Sequence, residues 1–234
     1  MTRTAVVIPA LNEEASIAKV IGDIPDPFRE RVVVGDNGST DRTREVARAA
    51  GAVVVEEPER GYGAACLRAL AELALDPPEV VVFLDGDYSD HPQEMPRVAG
   101  PVLDGEADLV IGSRVLGSRE PGALTPQSRY GNLLATFLIR LFYKERFTDL
   151  GPFRAVSWSA LEQMGMEDRD FGWTVEMQIK APKLGLRCRE VPVSYRRRIG
   201  KSKVSGTVRG SFLAGKKILW LIFRELFRGG PPRT

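Results

Sequence analysis

Residues 83–92, FLDGDYSDHP, set two carboxylates one residue apart, Asp85 and Asp87, with Gly86 between them. The pair follows directly on the apolar β-branched run VVVF. Two aspartates at the end of a strand can hold a hard divalent cation, Mg²⁺ or Mn²⁺, through oxygen, leaving coordination positions for phosphates and water. A cation so placed neutralises charge on a phosphate leaving group. In isolation the same residues fit a polar turn after a strand, where Asp-Gly is common. The other strand ends of the chain decide between the two readings.

The elements that must position these carboxylates are legible from periodicity. Apolar runs at 4–9, 31–36, 52–57, 79–85 and 107–113 alternate with helical patterns at 11–24, 39–51, 61–75 and 92–103. Ser39 and Asp41 are N-cap candidates for the second helix, and Gly51 closes it. Continuous β-branched runs separated by helices mean parallel strands buried on both faces, hence a doubly wound, mostly parallel α/β sheet. Ligands of such sheets bind beyond the carboxyl ends of the strands. The polar segments PALNEE, GDNGSTD, DGDYSD and GSR all fall at those ends and should converge on one crevice. Further on, 125–143 and 207–227 read as amphipathic helices, 171–181 as a helix ended or kinked by Pro182, and 186–196 as strand-like.

The chain has 234 residues, 43% of them hydrophobic and 27% charged, as expected of a globular protein. Cys66 and Cys188 lie far apart and neither belongs to a C-x-x-C pair, which argues against a metal knuckle or redox motif and for a reducing compartment. The sequence shows no signal peptide and no run near the ~20 apolar residues of a membrane span, so a cytoplasmic location is expected. Net charge is +2, but 13 of the 33 Lys/Arg and only 2 of the 31 Asp/Glu lie between Arg187 and Thr234. A basic end on an acidic body points to an anionic partner such as phosphate or a membrane surface. A nucleic-acid binder would explain that end but not an acidic crevice, and no nucleic-acid partner is expected.

PALNEEASI (9–17), VVVGDNGSTDRT (32–43), the Asp-Gly-Asp at 85–87 and VIGSR (110–114) occur in that order and spacing. Together they resemble the family 2 glycosyltransferases of the glycosyltransferase A fold, and within them the branch of dolichyl- and polyprenyl-phosphate sugar synthases. TDLGPFRA (148–155), GWTVEMQIKAPKLGLRCREVPV (172–193) and RRRIGKSKVSG (196–206) resemble the acceptor-half segments of that branch, so the likeness spans about 4–220. It implies a domain over 1–206, with a nucleotide-sugar half to 115 and an acceptor half beyond, followed by a basic amphipathic helix and tail at 207–234.

The resemblance implies inverting transfer of a sugar from a UDP- or GDP-sugar donor to polyprenyl phosphate or another membrane-linked acceptor. Pro9, Asn12, Glu13 and Asp36 would line the nucleotide pocket. Gly38, Gly61, Gly63 and Gly86 would let backbone approach the donor. Asp85 and Asp87 would meet the metal and diphosphate, with Arg198 and Lys203 covering the diphosphate and Gly200 and Gly206 as hinges. Glu176, then Asp149, are the candidate bases. Arg114, Arg129 and Arg154 could clamp an acceptor phosphate, for which guanidinium geometry is suited. Trp173 could stack on a sugar or simply pack its helix.

Two departures stand out. Asn37 replaces a second aspartate, and Ser89 stands where the branch often has a glutamine metal ligand, leaving Asp90 or water to substitute. The final helix carries an apolar stripe that fits the membrane interface, a dimer or the domain itself, so peripheral contact with the inner face of a membrane, or a membrane-protein partner, is expected. A soluble hydroxyl acceptor, a sugar nucleotidyltransferase and a non-catalytic nucleotide-binding module are the competing readings.

Overall fold

A computed structural model describes residues 4–200 and 208–228, with side chains in the last helix from residue 215 onward. Lys203, expected at the diphosphate, and Gly206, expected as a hinge, lie outside the described residues.

β1 (Thr4–Ala10), β2 (Val32–Asp36), β3 (Val53–Glu56) and β4 (Val80–Phe83) form a parallel set, and β5 (Leu109–Ser113), β6 (Arg154–Ser157) and β7 (Cys188–Pro192) complete one seven-stranded sheet in the order β3-β2-β1-β4-β6-β5-β7. β6 alone among them is antiparallel to its neighbours: it slots between β4 and β5, with Val82 opposite Ala155 and Val110 opposite the same residue. The expected doubly wound, mostly parallel sheet is therefore present. The boundary expected at residue 115 falls between strands of a single sheet, since β6 and β7 come from beyond it.

α1 (Ile17–Gly22), α2 (Asp26–Arg29), α3 (Thr43–Ala49), α4 (Tyr62–Leu73) and α5 (Met95–Leu103) join the strands of the first half. α6 (Pro126–Tyr143), α7 (Trp158–Met164), α8 (Trp173–Lys183) and α9 (Val208–Phe227) belong to the second. Two apolar clusters sandwich the sheet, one built with α4, α6, α8 and α9 and the other with α1 and α5. The β-branched runs are continuous because each central strand is covered on both faces.

Several boundaries differ from the sequence expectation for local reasons. α1 starts only at Ile17, because residues 12–14 are spent on the segment opposite: the Asn12 N–H donates to Ser39 Oγ at 2.9 Å and the Glu13 N–H to Thr43 Oγ1 at 2.7 Å. Ser39 is thus a strut and not a helix cap, while the Asp41 carboxylate accepts from the Thr43 N–H at 3.0 Å as a cap would. Pro182 sits inside the last turn of α8. α7 has no counterpart in the sequence reading, although Ser157 caps its N-terminus and Gly165 closes it in the left-handed conformation.

Candidate active site

Three of the four polar segments converge beyond the carboxyl ends of β1, β2 and β4, whereas GSR, at the end of β5, carries Arg114 to a second cavity. Pro9, Glu13, Asn37, Arg60, Gly61, Tyr62, Asp85, Gly86, Asp87, Asp170, Phe171 and Arg198 are among the residues lining a cavity of about 590 Å³.

Asp85 and Asp87 share its floor. Asp85 Oδ1 accepts from the Tyr62 hydroxyl at 3.0 Å. Asp87 Oδ1 accepts from the Ser89 N–H at 2.9 Å and from Ser89 Oγ, while its Oδ2 lies 2.9 Å from an Arg198 guanidinium nitrogen. Burial, and next the charge of Asp87, push the Asp85 carboxyl up to about 7. Burial pushes Asp90 well up too, with Asp85 and Asp87 adding to it, and Asp90 Oδ1 is a buried oxygen without a hydrogen-bond partner among the described residues. Three acids crowded into poorly solvated space destabilise one another unless a cation enters. That donor set fits a divalent metal held by one or two carboxylates and completed by substrate phosphates. The described residues contain no cluster of three or more His, Cys, Asp or Glu able to close a metal site without substrate. Ser89 is fully buried, and its N–H and hydroxyl both donate to Asp87 Oδ1, which orients that carboxylate.

Asp36 is fully buried at the end of β2; one oxygen accepts from the Ser39 N–H at 3.1 Å and the other has no hydrogen-bond partner among the described residues. It lies behind the lining and not in it. Asn37 stands at the cavity instead, where its amide donates to the Glu59 carbonyl at 2.7 Å and accepts from the Gly61 N–H at 2.7 Å. Asn12, expected in the pocket, is exposed in a left-handed conformation with φ 53° and accepts from the Thr40 N–H at 2.8 Å. Gly38 has φ 75°, as its turn requires.

The glycines at 61 and 63 make room for protein backbone, Gly61 while also lining the cavity. A Cβ on Gly63 would stand 1.9 Å from the Asp168 carbonyl oxygen, and one on Gly61 at 1.9 Å from that of Arg169. These positions let α4 meet the 168–170 backbone, whose carbonyls accept from the Gly63 and Ala64 N–H groups at 3.3 and 2.8 Å. The start of α4 is therefore tied to protein.

Three further candidates are buried outside the cavity lining, and Trp173 takes the packing role, one of the two readings open to it. Glu176 is fully buried and faces the 167–168 turn: its carboxylate accepts from the N–H groups of Glu167 and Asp168 at 3.0 and 2.8 Å and pairs with Lys180 at 2.8 Å. It shapes the loop that carries Asp170 and Phe171 into the cavity and is not itself in the lining. Arg154 is fully buried, donating to the carbonyls of Gly151 and Thr174 and to Gln178 Oε1 at 3.3 Å; burial lowers its guanidinium to about 10. Trp173 is 1% exposed and packs edge-on against Phe83 at 5.9 Å. Neither lines either cavity.

Arg114 and Arg129 do come together. With Arg119, Ser128, Tyr130, Asn132, Leu133 and Thr148 they line a second cavity of about 520 Å³. Asp149, the other candidate base, grips Arg114 through two parallel bonds of 2.7 Å and accepts from its N–H at 2.8 Å. Glu190 in turn accepts from the N–H groups of Thr148 and Asp149 at 2.9 and 3.1 Å. Tyr195 stands between the two cavities: the Arg114 guanidinium lies 4.9 Å over its ring, and its backbone bridges both Arg119 and Asp90, the acid beside Asp85 and Asp87. Tyr62, Arg60, Asp170, Arg119 and Glu190 escaped the sequence reading: Arg60 and Tyr62 sit at the start of α4, Asp170 on the loop before α8, Arg119 beyond β5 and Glu190 on β7, where no local motif marks them.

Comparison with known proteins fits this geometry. The family model described as glycosyl transferase family 2 matches residues 5–165. An uncharacterized glycosyltransferase of Mycobacterium tuberculosis is 39% identical over 212 residues, covering 89% of this chain and 93% of its own. A dolichyl-phosphate hexose transferase of Haloferax volcanii is 33% identical, covering 96% of each chain, and an undecaprenyl-phosphate mannosyltransferase of Micrococcus luteus is 30% identical, covering 89% and 90%. Among solved structures, glucosyl-3-phosphoglycerate synthase from Mycobacterium tuberculosis, in complex with Mn²⁺, UDP-glucose and phosphoglyceric acid, superposes with a TM-score of 0.77 at 26% identity, over 96% of this chain and 80% of that one.

Proposed function

The chain belongs to glycosyl transferase family 2 and has its glycosyltransferase A fold, and from that premise we propose that it moves a hexosyl group from a UDP- or GDP-sugar onto the phosphate of a polyprenyl phosphate or another membrane-linked acceptor. The observation that carries this reading is the pair of unlike cavities connected through Tyr195, one floored by Asp85 and Asp87, the other ringed by Arg114, Arg119 and Arg129.

The acidic cavity takes the donor, with Asn37, Arg60 and Tyr62 around the nucleotide. A divalent cation on Asp85 and Asp87, when bound, neutralises the diphosphate. Ser89 and Tyr62 hold the two carboxylates in place, and Arg198 is placed to move from Asp87 to the diphosphate as its charge arrives. In the basic cavity the arginines orient an acceptor phosphate. One of its oxygens attacks the anomeric carbon; the new carbon–oxygen bond forms as the bond to the β-phosphate breaks, and the nucleoside diphosphate leaves with the electron pair. A phosphate is already anionic near neutral pH, so this step needs no general base. The sequestration of Glu176 and Asp149 in hydrogen bonds supports that choice of nucleophile. Attack from the face opposite the leaving group inverts the anomeric centre.

A soluble phosphorylated acceptor is the second reading, favoured by the phosphoglyceric acid complex of the solved neighbour. Calorimetric titration of UDP-glucose and GDP-mannose with Mn²⁺ or EDTA, on wild type and Asp87→Ala, tests the donor site. Metal-dependent binding of one nucleotide, abolished in the variant, is expected. Transfer of labelled sugar to polyprenyl phosphate, compared with phosphoglycerate, then separates the acceptors.

A further inference from the structure

Among the described residues thirteen large apolar side chains are exposed, and eleven of them lie at 115–116, on α6 or on α9. On α6 they are Tyr130, Leu133, Leu134, Phe137 and Leu141, a spacing that lines one face of a helix; Tyr130 is 74% and Phe137 58% exposed. α9 packs alongside, with Phe142 against Phe223 at 5.6 Å and the Tyr143 hydroxyl donating to the Ile222 carbonyl at 2.5 Å. It turns Leu221 and Ile222 inward and leaves Trp220, Phe223 and Phe227 outside. An apolar surface of this kind on one side of a soluble fold marks an interaction site.

Its charge selects the partner. α6 contains no Asp or Glu, and the one acid of α9, Glu225, is 3% exposed. Arg129, Arg140, Lys144 and Arg146 are exposed along or just beyond α6, and Lys216 on α9. Trp220 is flanked by the Arg224 guanidinium at 4.7 Å and the Lys217 ammonium at 5.4 Å from its ring centre, as an indole at a headgroup boundary would be. The arginine cavity opens into the same face, for Tyr130 and Leu133 belong both to its lining and to the stripe. No described helix is long and apolar enough to cross a bilayer.

We propose that the exposed faces of α6 and α9 form a docking surface for an anionic phospholipid bilayer, which presents a lipid phosphate directly to the arginine cavity. The surface extends the acceptor reading above. Apolar side chains enter the acyl boundary, arginines and lysines meet the headgroups, and a phosphate held by Arg114, Arg119 and Arg129 has its hydrocarbon chain on the bilayer side.

The test is flotation with vesicles of phosphatidylcholine alone or mixed with phosphatidylglycerol, at low and high salt, on wild type and Phe137→Ser/Leu141→Ser. Both replaced residues lie outside the arginine cavity. Val53→Ser/Leu75→Ser, at the two exposed apolar residues elsewhere, serves as the control. Expected are binding to the anionic vesicles, weakening with salt, a loss of roughly tenfold or more in the α6 variant, and no change in the control. Absence of binding to anionic vesicles overturns the proposal, as does equal binding by wild type and the α6 variant. A wild-type dimer in light scattering that the α6 variant disperses also overturns it, since a second copy then covers the face. Calorimetry of the nucleotide on the same samples keeps the two readings apart. Vesicle failure with nucleotide binding intact sinks the surface alone, and the converse sinks the transferase reading alone.

Discussion

Glu176 shows how a residue can hold the right place in a motif and a different job in space. Its carboxylate is ringed by two N–H groups and Lys180. Glu176→Gln should keep kcat within about tenfold, whereas loss of a general base costs about 10²–10⁴-fold; the KM for the donor should rise instead, because the loop bearing Asp170 loosens. Steady-state kinetics separate the two. Arg154 and Arg129 make a second contrast that the sequence could not draw, since both are arginines near plausible phosphate positions. Arg154→Ala strands buried carbonyls and should cost about 2–4 kcal/mol in urea unfolding. Arg129→Ala, on an exposed side chain, should change stability by no more than about 0.5 kcal/mol while raising the acceptor KM. Asp85 adds a pH dependence with a definite sign. Its carboxyl is raised to about 7, so below that pH cation binding must expel a proton, and affinity climbs as pH rises through it. Calorimetry in buffers of different ionisation enthalpy should show proton release that fades above that value.

At the scale of elements, the parallel strands and their helices were readable because burial on both faces leaves an unmistakable run of valines and isoleucines. The pairing of β6 was not readable: RAVS is too short to carry a period, and its antiparallel seat between β4 and β5 is a choice made by tertiary packing. The same holds for the glycines of α4. Their sequence spacing suggests a ligand, yet the space their Cβ atoms would fill belongs to the 168–170 backbone. Gly63→Ala should therefore destabilise by about 2 kcal/mol or more, since backbone cannot yield as a side chain does. Gly131→Ala, on an exposed face of α6 with nothing within 4 Å of its Cβ, should stabilise by about 0.5–1 kcal/mol. Thermal melts of the two variants should move in opposite directions.

For the whole molecule, the two functional halves are not two folding units. β5 pairs with β6 and β7, both drawn from beyond residue 115, and β4 shares its outer edge with β6. A fragment of residues 1–115 should show no cooperative unfolding transition by circular dichroism, whereas the full chain should unfold in one. The motifs PALNEE, GDNGSTD and DGD made the acidic crevice legible from sequence, because each sits at the end of a strand it names. The basic cavity was legible only in part. Arg114 ends a strand, but Arg119 and Glu190 are connected to it by folds of chain that no local pattern announces.

The insertion of β6 also orders events during synthesis. As the chain leaves the ribosome, β1 to β4 can pair among themselves as β3-β2-β1-β4. β5 then emerges with no strand to join until residues 154–157, and after them 188–192, have been made. Through that interval β4 and β5 each offer an open row of backbone groups, while the oily face of α6 is already in solution. Unpaired edges of this kind are templates for pairing with another chain. The nascent protein is thus most exposed to misassembly while its middle third is being translated, and that is where a chaperone, or a membrane already waiting for α6, would do most to raise the yield of folded enzyme.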